Sequence, residues 1–136
     1  MIGYITVGAS DLEAARAFYD GFLPLLGYSL TVSSAGLSYA LPATPGQAAP
    51  EFYVKPPFDG KAASGGNGSM VAFQCASQAQ VQVLHRAACL AGGQSDGAPG
   101  FRAAYGPRFY VAYLRDPQGN KLALFSANPA DPARPG

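Results

Sequence analysis

The chain has 136 residues, 49% of them hydrophobic and only 12% charged, enough for one domain with its own core and too apolar for intrinsic disorder. Nine basic residues against eight acidic argue against nucleic acid or an anionic membrane as the main partner. No apolar run approaches the roughly 20 residues that span a bilayer, and Cys75 and Cys89 fit a reducing compartment and form no metal-binding spacing.

Met1 leads straight into Ile2–Val7, an alternating β-rich segment without a basic leader or cleavage site, so a cytoplasmic protein is expected. Ser10-Asp11-Leu12-Glu13 reads as a capping box whose Ser10 opens a helix. Leu12, Ala15, Phe18, Tyr19 and Phe22 fall at helical spacing, and Pro24 and Gly27 mark the end. Strands are expected at Tyr28–Ser33, Leu37–Leu41 and Glu51–Lys55, then a flexible connector, Pro56–Ser69. After it the pattern restarts: a strand at Met70–Cys75, a helix opened by Ser77-Gln78-Ala79-Gln80 that presents Val81, Leu84, Ala88 and Ala91, and a stop at Gly92-Gly93. Short strands are expected at Phe101–Ala104, Phe109–Arg115 and Lys121–Ser126, and a disordered tail at 128–136.

The most informative stretch is Phe109–Ser126. Asp116-Pro117-Gln118-Gly119 has the residues of a type I turn followed by a left-handed glycine, which closes a three-residue hairpin loop and pairs Asp116 with Asn120. Counting outward, Arg115 faces Lys121, Leu114 faces Leu122 and Tyr113 faces Ala123. Tyr110, Ala112, Leu114, Leu122 and Leu124 then form an apolar side for packing on helices. Phe109, Val111, Tyr113, Arg115, Lys121, Ala123 and Phe125 form a side that mixes aromatic rings with charge, as a cavity wall does. The same parity turns Tyr4 and Thr6, then Met70, Ala72 and Gln74, then Glu51, Tyr53 and Lys55 to the cavity. The chain is thus two β-α-β-β-β modules, about 1–56 and 69–127, in which Tyr4 matches Met70 and Tyr53 matches Ala123.

The hairpin RDPQGNKLALF, the opening MIGYITVGASDLEAARAFYDGFLPLLGY and the second start NGSMVAFQCASQAQVQVLHRAACLAGG resemble the glyoxalase / bleomycin-resistance / extradiol-dioxygenase (vicinal oxygen chelate) superfamily over essentially Met1–Ala127. The resemblance implies an α+β fold in which the two modules form a curved mixed sheet around a cavity, with helices on the outer face. It also implies a homodimer, which light scattering at micromolar concentration tests. In metal-dependent relatives His or Gln, His and Glu ligands sit on the first and last strands of the modules. The corresponding residues here are Tyr4, Met70, Ala123 and Tyr53, a set with no carboxylate or imidazole, so no metal and no cofactor are expected.

The expected ligand-binding residues are Tyr4, Tyr53, Met70, Gln74, Arg108, Tyr113 and Ala123, with Arg108 aimed at an anionic ligand group. His85, the single histidine, lies with Cys89 on the second helix and reads as a packing residue. The first function implied is metal-free binding of a small, largely apolar or aromatic molecule. The alternatives are an enzyme of the superfamily (lyase, isomerase or dioxygenase type) using a displaced metal or Tyr4 and Tyr53 as acid/base groups, and a non-catalytic interaction module.

Overall fold

The computed structural model describes residues 1–136. In the first module β1 (Tyr4–Gly8), α1 (Leu12–Asp20), a 3-10 turn (Leu23–Leu26), β2 (Ser29–Ser33), β3 (Gly36–Ala40) and β4 (Glu51–Lys55) follow one another. The second module repeats the order with β5 (Val71–Gln74), α2 (Gln78–Leu90), β6 (Gln94–Phe101), β7 (Tyr110–Arg115) and β8 (Lys121–Ser126). Each module folds into its own four-stranded mixed sheet, β1-β4-β3-β2 and β5-β8-β7-β6, with the first and last strands parallel and the other neighbours antiparallel. The architecture is α+β, as expected, but as two sheets that do not close on each other. Register supports the internal alignment. Thr6 lies beside Tyr53 in one module and Ala72 beside Ala123 in the other, so two residues back Tyr4 and Met70 correspond.

Local chemistry explains most of the boundaries. Asp11, not Ser10, caps α1, its Oδ1 accepting from the Ala14 N–H at 3.0 Å. Ser10 is instead drawn to the connector, its Oγ accepting from the Ala63 N–H at 3.0 Å. Ser77 caps α2 as expected, accepting from the Gln80 N–H, and Gln80 returns a bond to the Ala76 N–H at 2.7 Å. Gly27, at φ 91°, ends the 3-10 turn in the left-handed conformation that a side chain disfavours.

The hairpin register is the one the turn chemistry predicts, from Asp116 and Asn120 outward to Tyr110 and Ser126. The strand expected at Phe101–Ala104 lies earlier, at Gln94–Phe101. Its sequence QSDGAPGF shows no alternation because it is an edge strand with register shifts at Ser95/Gly97 and Gly97/Gly100, where glycine and Pro99 are tolerated.

One core spans both modules. α1 covers β3 and β4, and α2 covers β6, β7 and β8. Phe18, Tyr19, Phe22, Tyr39 and Val54 from the first module and Val81, Leu84, Leu114, Leu122 and Leu124 from the second are fully buried. Phe73 on β5 joins the halves: its ring meets Phe52 at 5.2 Å, Tyr28 at 5.8 Å and Phe22 at 6.2 Å between centroids, each near-perpendicular. Polar ties reinforce the seam. Tyr19 donates to Asp116 at 2.6 Å and Asn120 Nδ2 to the Gly8 carbonyl at 2.8 Å.

Two segments expected to be loose are held. Ala63, in the connector, is bonded by Ser10 and by Gln118, and a Cβ on Gly65 would lie 2.4 Å from the Gly119 carbonyl oxygen. The tail expected to be disordered turns back over the second module. Asn128 Nδ2 donates to the Ala76 carbonyl, Asp131 Oδ2 accepts from the Gln78 N–H at the start of α2, and Arg134 bonds the loop after β6.

Candidate functional site: an aromatic cleft beside β7

The largest cavity, about 720 Å³ and open to solvent, lies on the second module between the start of β5 and the loop that joins β6 to β7. Met70, Tyr105, Arg108, Phe109 and Tyr113 line it, together with Ala104, Gly106, Pro107 and Ala127. Alternation on β7 sends Tyr113 to this side while Ala112 and Leu114 go to the core. Phe109 precedes β7 with the same parity and stacks on Phe125 at 5.6 Å and 24°, while Tyr105 meets Phe109 edge-on at 5.5 Å. The wall is therefore a run of aromatic rings, two of them phenols.

Charge around the cleft is positive. The Arg102 guanidinium lies 5.4 Å and the Lys121 ammonium 5.0 Å from the Tyr113 ring centre, both within cation–π range. Burial, together with the neighbouring Tyr105, raises the Tyr113 phenol above its ordinary value, so it is a hydrogen-bond donor at neutral pH. Asp96, the acid closest to this group, is held by Arg115 at 3.0 Å and Lys121 at 3.5 Å, and no carboxylate lines the cleft.

The structure brings together three of the seven sequence-predicted residues, Met70, Arg108 and Tyr113. Tyr4 and Tyr53 meet edge-on at 5.6 Å and 81° on the first module, where Tyr4 borders a separate hollow of about 350 Å³ with Ile5, Val71 and Phe73. Gln74 lies toward the other end of β5, in a third hollow with Tyr28, Leu41 and Phe125. Ala123 has the expected parity but is 1% exposed, with the larger Tyr113 directly opposite it across the β7–β8 pair. Phe109 lies on the side of the hairpin expected to form the cavity wall, though outside the expected ligand-binding set, and Tyr105 is a lining residue that strand parity does not reach. The signal available for them was the aromatic and basic density of FRAAYGPRF beside Gly106-Pro107.

Tyr53 belongs to a small polar group of its own. The Tyr53 and Ser38 hydroxyls donate to the Glu51 carboxylate, Ser38 at 2.8 Å, and pull it below the usual carboxylate range. The bond to Glu51 in turn raises the Tyr53 phenol. Both shifts run away from neutrality, which leaves neither group poised for proton transfer near pH 7. His85 Nε2 is 3.0 Å from the Ser95 hydroxyl across the α2–β6 contact, a packing role as expected. Burial pushes the Cys75 thiol up to about 11 and keeps it protonated and unreactive.

The residues at the positions of the superfamily's metal ligands do not fit a divalent cation. Phenols hold their protons at neutral pH, the Met70 thioether is a soft donor, and Ala123 has no donor atom and is buried. No group of three or more His, Cys, Asp or Glu gathers anywhere in the chain. No helix is long and apolar enough to cross a membrane.

Comparison with protein-family models gives no match, and comparison with curated proteins gives none. Solved structures match closely. A glyoxalase/bleomycin resistance protein from Albidiferax ferrireducens T118 is 34% identical over 93% of this chain and 98% of its own, with a TM-score of 0.77. At lower identity the fold alone is shared. A glyoxalase/bleomycin resistance protein/dioxygenase family enzyme from Burkholderia phytofirmans PsJN is 20% identical over 92% and 97% of the two chains (TM-score 0.64). A putative glyoxalase from Bacillus halodurans is 24% identical over 93% and 95% (TM-score 0.64). With two β-α-β-β-β modules, a D-P-x-G-N hairpin and a relative this similar along nearly its whole length, the chain belongs to the glyoxalase/bleomycin resistance protein/dioxygenase superfamily.

Proposed function

We propose that this protein binds a small, flat, largely aromatic molecule in the cleft beside β7 and does so without a metal. The observation that carries this reading is the cleft itself. Its volume falls within the roughly 300–1,000 Å³ of small-molecule sites, and its lining of Met70, Tyr105, Phe109 and Tyr113 offers apolar area with few polar handles. The unsuitable donor set at Tyr4, Tyr53, Met70 and Ala123 supports the metal-free half of the reading.

A panel of planar aromatic compounds tested by thermal unfolding should contain members that raise Tm in proportion to ln(1 + [L]/Kd). Tyr113→Ala removes a wall of the cleft and should weaken those members about 5–30-fold, corresponding to about 1–2 kcal/mol. A panel in which nothing stabilises the wild type, or binding indifferent to Tyr113→Ala, sinks the reading. Treatment with a strong chelator should leave Tm unchanged, and a drop in Tm reversed by adding back zinc or manganese would refute the metal-free part.

A further inference from the structure

Arg108 is the one charged side chain on the cleft wall. Its Nη1 donates to the carbonyls of Pro129, at 3.1 Å, and Asp131. Those two bonds occupy both Nη1 hydrogens, whereas Nε and Nη2 have no protein partner and the residue is exposed. The unused Nε–Nη2 edge is the side of a guanidinium that accepts a carboxylate through two parallel hydrogen bonds.

The segment that takes Nη1 is anchored on both sides. At one end Asp131 Oδ2 accepts from the Gln78 N–H at 2.8 Å, and Gln78 Nε2 donates to the Pro132 carbonyl at 2.7 Å, so the segment is tied to the first turn of α2. At the other, the Arg134 backbone N–H donates to Pro107 at 2.7 Å and its Nη1 to Arg102 and Tyr105 at 2.9 and 3.1 Å. Residues 128–134 therefore form a strap behind the loop that makes the cleft wall. Arg108 loses much of its rotamer freedom to that strap before any ligand arrives, which is the condition for a flexible side chain to discriminate well. The Arg102 and Lys121 cations near Tyr113 and the lack of any acid in the lining favour the same sign of ligand charge.

We propose that the cleft selects flat aromatic carboxylates, with the free edge of Arg108 reading the carboxylate and the C-terminal strap holding that guanidinium in position. This rests on the cleft being the binding site. The experiment is titration calorimetry of the full chain with 2-naphthoate and with 2-naphthamide, its neutral planar isostere. Wild type binds the carboxylate about tenfold more tightly than the amide, and the preference shrinks at high salt. Arg108→Gln brings the two affinities together by weakening naphthoate alone. Arg134→Gln leaves Arg108 in place but removes two ties on its loop, and it lowers the preference about threefold. Equal wild-type affinities, a preference indifferent to salt, or one that survives Arg108→Gln overturns the selection by Arg108 while the naphthamide arm still reports the cleft as a site. A preference unchanged by Arg134→Gln overturns the role of the strap. If neither compound binds, the selection and the site fall together.

Discussion

Asp116→Ala should remove about 3–5 kcal/mol of unfolding free energy, read as a lower urea midpoint at unchanged slope. The residue is 4% exposed, yet its carboxylate accepts four hydrogen bonds. The backbone N–H groups of Gln118 and Asn120 reach Oδ1 at 2.9 and 2.8 Å, and the Tyr19 hydroxyl and Asn120 Nδ2 reach Oδ2 at 2.6 and 2.8 Å. Alanine leaves the Gln118 and Asn120 backbone N–H groups and the Tyr19 hydroxyl without that acceptor, while Asn120 Nδ2 keeps only the Gly8 carbonyl, and the penalty of an unsatisfied buried donor exceeds the net worth of the bond it lost. Asp116→Asn is the discriminating control. Its amide oxygen can still serve the two backbone N–H groups, but its amino group then meets Asn120 Nδ2 donor to donor, so an intermediate loss of about 1–2 kcal/mol is expected. A loss for Asp116→Ala no larger than that for Tyr19→Phe, which removes one hydroxyl, would refute the added cost of the other donors left unpaired.

Phe73→Ala is expected to cost a similar amount, about 3–5 kcal/mol, for an unrelated reason. The ring sits between the modules, edge-on to Phe22, Tyr28 and Phe52, and is 4% exposed. Truncation loses its transfer energy, three aromatic contacts and the packing of the cavity left behind, which neighbours anchored in the other module relax poorly to fill. Phe73→Leu retains most of the volume and should cost under about 1.5 kcal/mol. Equal losses for alanine and leucine would mean that ring geometry rather than filled volume holds the seam.

Legibility in the sequence followed the strength of local chemistry. Asp116-Pro117-Gln118-Gly119 sets turn type and loop length together, and those determine register, so every pair in the β7–β8 hairpin could be counted in advance. Capping signals located both helices, although at α1 two adjacent oxygen-bearing side chains competed and Asp11 won, because Ser10 had a partner in the connector. β6 was misplaced because an edge strand broken by bulges has neither alternation nor β-branched residues. The cleft was half legible. Strand parity turns Met70, Phe109 and Tyr113 to the cavity side, but the loop from Arg102 to Arg108 and the strap behind it have no periodicity, and their positions depend on carbonyl contacts that no spacing rule encodes. Parity also names a face without saying whether it is open. Ala123 pointed the expected way and was buried.

The held connector gives the chain a divisible character. Between Lys55 and Val71 it is pinned at Ala63 and Gly65, but the stretch before that point, Phe58–Lys61, is exposed, with Gly60 in the left-handed conformation of a turn tip. A cut there severs no strand pairing and no helix, and each product keeps a whole β-α-β-β-β module. What remains between the two pieces is the apolar seam around Phe73 and a set of hydrogen bonds that includes Tyr19–Asp116, Asn120–Gly8, Ser10–Gln118 and Ser10–Ala63. The molecule is in this respect a covalent heterodimer of its own halves. Its single-chain form fixes their local concentration at the value the connector imposes, and co-expressed halves must recover the same pairing from solution.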